Sequence, residues 1–287
     1  MLLSETELHT LARLRLQMRT KVSKQPFSDL RSVDKGTGLE FADYRQYVQG
    51  DDIRRLDWHQ FQKHKKLVVR QYEQYEAASF NLLMDLSDSI VCSGQQKVQS
   101  IKKLCAAYGF VILKHGYKIS LWPVGKNEPV RKFSSPSQWP NFLDHLENNT
   151  AGGKVEITDV LQSFGKRGNG ENIIAVSDFI CSKGYNHLEN ILSRFKKNSV
   201  YVHVYSKSEI DPPFTGDLIL IDSELNTEQS TNINQQNIET YKKNYNRYYD
   251  SLRKFSLGSG CFYSDIADDL DLTQQIRMLA PDGFLLL

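Results

Sequence analysis

No run of apolar residues in this sequence approaches the roughly 18 that a membrane span requires, so a transmembrane protein is not expected. Cysteine is scarce: Cys92, Cys105, Cys181 and Cys261 lie far apart and form no C-x-x-C pair. Three of them sit in apolar surroundings, which predicts buried free thiols in a reducing compartment rather than a disulfide framework. The opening residues Met1-Leu2-Leu3-Ser4-Glu5-Thr6-Glu7 place acids where a signal peptide needs a basic start, so a cytoplasmic protein is the expectation. An excess of charge of one sign is also lacking. The formal net charge is +2, which gives no general attraction to nucleic acid or anionic lipid. His59 and His64 have no Cys or Glu helper at zinc spacing. Gly165-Lys166-Arg167-Gly168-Asn169-Gly170 lacks the spacing of a phosphate-binding P-loop and reads as a loop before a strand. No internal repeat is visible.

What remains is an ordinary globular composition, 40% hydrophobic and 24% charged over 287 residues, enough for one large domain or two small ones. Leu8, Leu11, Leu14 and Met18 recur at helical spacing and predict an N-terminal helix from Glu5 to Lys21. Ser23 to Gln62 reads as irregular, an ordered arm packed on the main domain, whose Leu39, Phe41, Tyr44, Tyr47, Leu56, Trp58 and Phe61 need burial. From Lys66 the pattern changes. Strands are expected over 67–72, 78–86, 117–124, 171–176, 199–205 and 216–221. Helices are expected over 97–115, 136–148, 157–164, 185–195, 239–255 and 266–279. Asn226 to Asn237, rich in Asn, Gln, Thr and Ser, reads as a mobile loop. Strands alternating with helices imply an α/β fold with a doubly wound, mostly parallel sheet. The expected division is 1–77, helix and arm, and 78–287, the α/β domain with its C-terminal helices.

In such sheets ligands sit at the carboxyl ends of strands, which directs attention to the loops after Met84, after Val176 and near Gly152. After the apolar strand end Leu82-Leu83-Met84 comes Asp85-Leu86-Ser87-Asp88-Ser89. An extended turn there points residues 85, 87 and 89 to one side, presenting a carboxylate and two hydroxyls, the hard oxygen ligands that Mg²⁺ prefers. Thr158 follows the flexible Ala151-Gly152-Gly153, and Asp178 follows Ile173-Ile174-Ala175-Val176. Read alone, D-x-S-x-S fits a helix N-cap as well as a metal site.

The ordered set Asp85, Ser87, Ser89, Thr158 and Asp178 resembles the metal-ion-dependent adhesion site of von Willebrand factor A domains. Gly36-x-Gly38-x-Glu40-Phe41-x-Asp43-x-Arg45-x-Tyr47-x-x-Gly50-Asp51-Asp52-x-Arg54-x-x-Asp57-Trp58 is similar to an uncharacterised family associated with MoxR-type AAA+ ATPases (domain of unknown function 58). Pro212-Pro213, Gly216 and the Asp222/Glu224 pair extend the likeness, which spans most of the chain. The resemblance implies a von Willebrand factor A-like, Rossmann-like domain that holds one divalent cation, Mg²⁺ with Mn²⁺ or Ca²⁺ as alternatives, at those five residues. It implies a non-enzymatic role as an interaction domain, with a MoxR-type ATPase and an unknown client protein as partners. Two departures stand out: Asp88 adds a carboxylate where small residues are usual, and His59-Gln60-Phe61 replaces an expected Ala-Arg.

Rival readings remain. A phosphohydrolase with Asp85 as nucleophile would want a second acid two residues on, where Ser87 stands. A metal-free structural interaction protein is the third. In the arm, Asp51, Asp52, Arg54, Arg55 and Asp57 read as an ion-pair network and Trp58 as packing. Tyr241, Tyr245, Tyr248 and Tyr249 read as partly buried packing along one helix. Asp85 and Asp178 together should repel one another when no metal is bound and raise their pKa values.

Overall fold

The computed structural model describes residues 2–16, 24–26, 39–52, 54, 56–75, 78–126, 128–164, 172–195, 199–221, 228–279 and 285–286. Gly36, Gly38, Gly165–Gly170, Asp222 and Glu224 lie outside them. The chain divides into two compact units, one of residues 1–19 with 79–287 and one of residues 20–78. The N-terminal helix, grouped above with the arm, therefore belongs to the larger unit.

That helix, α1 (Glu5–Arg13), starts at a capping box in which Ser4 and Glu7 satisfy each other's backbone N–H groups. It buries Leu11, and Leu14 after it, completely. It ends before the expected Lys21, because Leu14 turns extended and a short strand, β1 (Arg15–Leu16), follows.

In the smaller unit, β2 (Lys24–Pro26), β3 (Leu39–Gln46) and β4 (Val68–Tyr75) form an antiparallel sheet in the order β2-β4-β3. The region expected to be irregular thus contains a strand of eight residues. A register shift between Phe41 and Asp43 explains the discrepancy, since a bulge breaks the alternation by which a strand is read from sequence. α2 (Trp58–His64) is capped by Asp57, whose carboxylate accepts the N–H groups of His59 at 2.9 Å and Gln60 at 3.1 Å. The aromatic residues expected to be buried are not all so: Trp58 is 55% exposed and Tyr44 38%.

In the larger unit, β5 (Ser79–Asp85) leads to α3 (Asp88–Ser93) and the long α4 (Gln95–Lys114). β6 (Lys118–Val124), β7 (Arg131–Phe133), α5 (Trp139–Asn148), α6 (Ile157–Phe164), β8 (Asn172–Ser177) and α7 (Tyr185–Leu192) follow. Then come β9 (Ser199–Tyr205), α8 (Lys207–Ile210), β10 (Gly216–Ile221), β11 (Glu228–Ile233), α9 (Gln235–Gly258), β12 (Phe262–Ala267), α10 (Leu272–Leu279) and β13 (Leu285–Leu286). Six of these strands form one sheet in the order β12-β9-β8-β5-β6-β7, parallel except for β7. Leu82, Leu83 and Met84 are fully buried in its centre, as a strand covered on both faces requires. α4 is buried on nearly every side and approaches α5 so closely that a Cβ on Gly109 would lie 2.2 Å from the Phe142 ring.

Two expectations fail at the far end of the chain. Residues 228–233, within the expected loop, are β11, paired antiparallel with β10. All of β11 but Ile233 is polar and none of it is buried, so ladder hydrogen bonds hold a segment that has no apolar period to betray it. Ile266, expected to open the last helix, lies in β12, an edge strand paired in parallel with β9. β1 and β13 close the unit as an antiparallel pair.

Candidate metal centre

From β5 the chain passes to β6 on one side, whereas β8, on the other side of β5, leads away to β9. The loops after β5 and β8 thus diverge and open the crevice in which such sheets bind ligands. Asp85 ends β5 and Asp178 follows β8 directly. Their positions in the fold come from the sheet order alone, and the sequence order D-x-S-x-S before Asp178 satisfies it.

Around Asp85 the turn is tightly organised. Its Oδ1 accepts the Ser87 N–H at 3.0 Å and the Ser87 hydroxyl at 2.7 Å. Ser87 Oγ and Ser89 Oγ stand 3.0 Å apart. Asp85 Oδ2 accepts the hydroxyl of Ser177 at 2.6 Å. Sequence reasoning missed Ser177; it ends β8, one register step beyond the pair Met84–Val176, and only the strand pairing places it opposite Asp85. Asp85, Ser87, Thr158 and Asp178 are all buried. Burial, and then the neighbouring charge of Asp178, push the Asp85 carboxyl up to about 6.

Asp178 is held from three sides. Its Oδ1 accepts the Ile180 N–H at 3.0 Å, and its Oδ2 accepts from the ammonium of Lys97 at 3.2 Å. Its carbonyl accepts the Tyr249 hydroxyl at 3.0 Å, while Tyr248 donates to the carbonyl of Phe179 at 2.8 Å. The tyrosines of α9, expected to be mere packing, thus also brace this loop, in which Phe179 takes a left-handed φ of 55°.

Thr158 sits in the first turn of α6 and donates its hydroxyl to Glu156 at 2.9 Å, not to either aspartate. Ser182 also donates to Glu156. The structure therefore joins Asp85, Ser87 and Ser89 by hydrogen bonds and sets Asp178 close enough to act on Asp85. Thr158 is engaged with its own loop.

Asp88 is engaged with the glycine loop. Its Oδ1 accepts the Gly153 N–H at 2.7 Å and its own N–H donates to the Gly153 carbonyl at 3.0 Å. It clasps the glycine loop that leads to Thr158. Gly153 has a φ of +107°, and a Cβ there would lie 2.2 Å from the Gly125 carbonyl oxygen, so only glycine fits.

Among the described residues no three His, Cys, Asp or Glu side chains gather as a cation cage. The donors here are mostly hydroxyls: Asp85, Ser87 and Ser89, hydrogen-bonded to one another at 2.7 and 3.0 Å, bring a carboxylate and two hydroxyls to one turn beside Asp178, an all-oxygen set of the kind hard cations prefer. The residues fit a hard divalent cation.

The signature residues of the arm are described in the smaller unit. Arg45 forms a two-pronged ion pair with Asp51 at 2.7 and 2.5 Å, and Asp51 also accepts the Val48 N–H at 2.9 Å. Asp52 accepts the Arg54 N–H at 3.0 Å, Tyr44 donates to Asp57 at 3.0 Å, and Gly50 has a φ of +112°. The Tyr47 N–H donates to Leu67 at 3.0 Å, and Trp58 meets Phe61 edge to face. Among the described residues of the arm, these aspartates and Arg45 hold turns and a helix cap.

The sheet order, parallel register and polar carboxyl edge define a von Willebrand factor A-like α/β domain. The chain belongs to the family described as "Protein of unknown function DUF58", which it matches over residues 43–253. No protein of curated function matches its sequence. Among solved structures it is similar to the conserved hypothetical protein BatB from Bacteroides thetaiotaomicron, at 11% identity over 72% of this chain and 99% of that one, with a TM-score of 0.36. It is similar to the SpRpn10 VWA domain at 12% identity over 72% of this chain and 97% of that one, TM-score 0.39. An aerotolerance-related membrane protein from Bacteroides fragilis NCTC 9343 matches at 12% identity over 72% and 98%, TM-score 0.39. No helix among the described residues of this chain is long and apolar enough to cross a membrane.

Proposed function

We propose that this chain is a non-enzymatic protein-interaction domain that binds its partner through a divalent cation at Asp85, Ser87, Ser89, Thr158 and Asp178. The observation that carries the reading is the convergence of the Asp85, Ser87 and Ser89 oxygens on one turn at the carboxyl end of the central strand, close to Asp178. Ser87 and Ser89 orient lone pairs from a helix start, Asp85 and Asp178 supply charge, and Thr158 is a candidate to complete the set by leaving Glu156. When bound, Mg²⁺, Mn²⁺ or Ca²⁺ would supply an open coordination position for a carboxylate of the partner. A MoxR-type AAA+ ATPase as partner, acting on a client during complex assembly or maturation, rests on the resemblance of the Gly36–Trp58 segment. Asp85 is buried and both its oxygens accept hydrogen bonds, which suits a fixed ligand better than a nucleophile attacking phosphorus.

The test is a melting curve of wild type and of Asp85→Ala with and without millimolar Mg²⁺ or Mn²⁺. A cation that binds only the folded chain adds about 2.7 kcal/mol at a hundred times its Kd. That shift is expected in wild type and absent in Asp85→Ala. Co-purification with a MoxR-type ATPase, lost in excess chelator, is the second arm; association that survives the chelator would place the contact away from these residues.

A further inference from the structure

Lys97 stands in the first turn of α4 with its side chain wholly buried. Lysine is almost never fully buried without a partner, and a helix N-terminus is an unfavourable place for a cation. Its ammonium reaches Asp178 Oδ2 at 3.2 Å, Glu209 Oε1 at 2.7 Å and Ser93 Oγ at 3.4 Å. Ser93 ends α3, the helix that carries Ser89, and donates to the same Glu209 oxygen at 2.5 Å. Glu209 is itself fixed on α8 by a capping box with Ser206. One cation is thus shared between a carboxylate of the proposed metal centre and a carboxylate outside it.

We infer that Lys97 is the resident counter-cation of the centre, competing with a divalent ion for Asp178, and that Glu209 sets the strength of this competition by drawing Lys97 away. The charges make the case. With Asp85 and Asp178 alone, two carboxylates would balance one divalent ion. Lys97 adds a positive charge in direct contact with one of them, in a buried setting where such charges act strongly. Glu209 returns the balance: it holds the Lys97 ammonium at 2.7 Å, closer than Asp178 does at 3.2 Å. Lys97 therefore lowers divalent affinity and Glu209 restores it. A purely structural role would make loss of either residue weaken the centre. Competition makes the two losses act in opposite directions.

The inference rests on the divalent reading of the centre, and the experiment separates the two. Free Mn²⁺ is titrated by its electron paramagnetic resonance signal against the full chain, wild type, Lys97→Met, Glu209→Gln and the double variant. Lys97→Met keeps the length of the side chain and removes its charge; it should bind Mn²⁺ at least about tenfold more tightly than wild type. Glu209→Gln leaves Lys97 to Asp178 alone and should bind about tenfold more weakly. The double variant, with the net charge of wild type, should return to near its affinity. If wild type binds no Mn²⁺ but Lys97→Met does, the competition stands and the wild-type centre is one that Lys97 keeps closed. If wild type binds and Lys97→Met binds equally or more weakly, Lys97 is not a competitor although the metal centre is real. If no variant binds Mn²⁺, both readings fall. Should Lys97→Met fail to fold, Glu209→Gln decides: unchanged or tighter Mn²⁺ binding overturns the inference.

Discussion

Ser177 shows how much a single hydroxyl can decide in a buried site. Its bond to Asp85 Oδ2 favours the ionised carboxylate, against burial and the charge of Asp178, which favour the neutral one. Ser177→Ala leaves that oxygen without its donor. The expected result is a loss of about 1–3 kcal/mol in urea unfolding and weaker Mn²⁺ binding, because the acid becomes harder to ionise. The same balance predicts a pH effect in chelator. With its folded-state pKa raised from 3.8 to about 6, Asp85 binds more protons when folded than when unfolded between those values. Stability should then fall as pH rises from about 4 to about 6. Asp85→Asn should remove that part of the pH dependence in melts run from pH 4 to pH 7.5. A wild-type curve that tracks the Asn variant would mean that Asp85 is not held near neutrality.

At the scale of elements, loops matter more than helices. The Gly152–Gly153 turn is clasped by Asp88 and pressed against Gly125, and it delivers α6 with Thr158 to the crevice. Gly153→Ala must move the Gly125 carbonyl and strain a left-handed φ. A loss of about 1–3 kcal/mol is expected, with a larger fractional loss of Mn²⁺ affinity than at a surface control such as Lys154→Ala. Elements with a strong internal period were legible in sequence. β5 announced itself by a continuous apolar run, and α4 by one face from Val98 to Ile112. β3 was hidden by its bulge, β11 by its polarity and β12 by lying next to a stretch with helical spacing. The site followed the same logic. Asp85, Ser87 and Ser89 are close in sequence, so one turn brings them together, and the place of Asp178 beside Asp85 is legible because the strand before it is readable. Ser177, Lys97 and Glu209 carry no local mark. What makes them matter is strand register and helix placement, and those arise only from pairing across the sheet.

At the scale of the molecule, the unit that bears the site is interrupted in sequence by residues 20–78. Each part has its own sheet. The larger unit should therefore fold and bind Mn²⁺ when residues 20–78 are replaced by a long Gly-Ser linker. It should melt early when residues 1–19 are removed instead, since that deletion strips the fully buried Leu3, Leu11 and Leu14 from its core. Circular dichroism melts of the two chains, with free Mn²⁺ titrated alongside, check both outcomes. If the two deletions destabilise equally, the division into units is not an energetic one.

The pairing of β1 with β13, and the packing of α1 against α4 and α10, give the larger unit a history as well as a shape. On the ribosome, α1 (Glu5–Arg13) emerges long before α10 (Leu272–Leu279). At roughly 5–20 residues per second, Leu11 and Leu14 wait on the order of ten seconds to a minute before their final neighbour exists. This domain cannot be finished in the order in which it is made: the apolar face of α1 stays without its last partners until α10 has been synthesised.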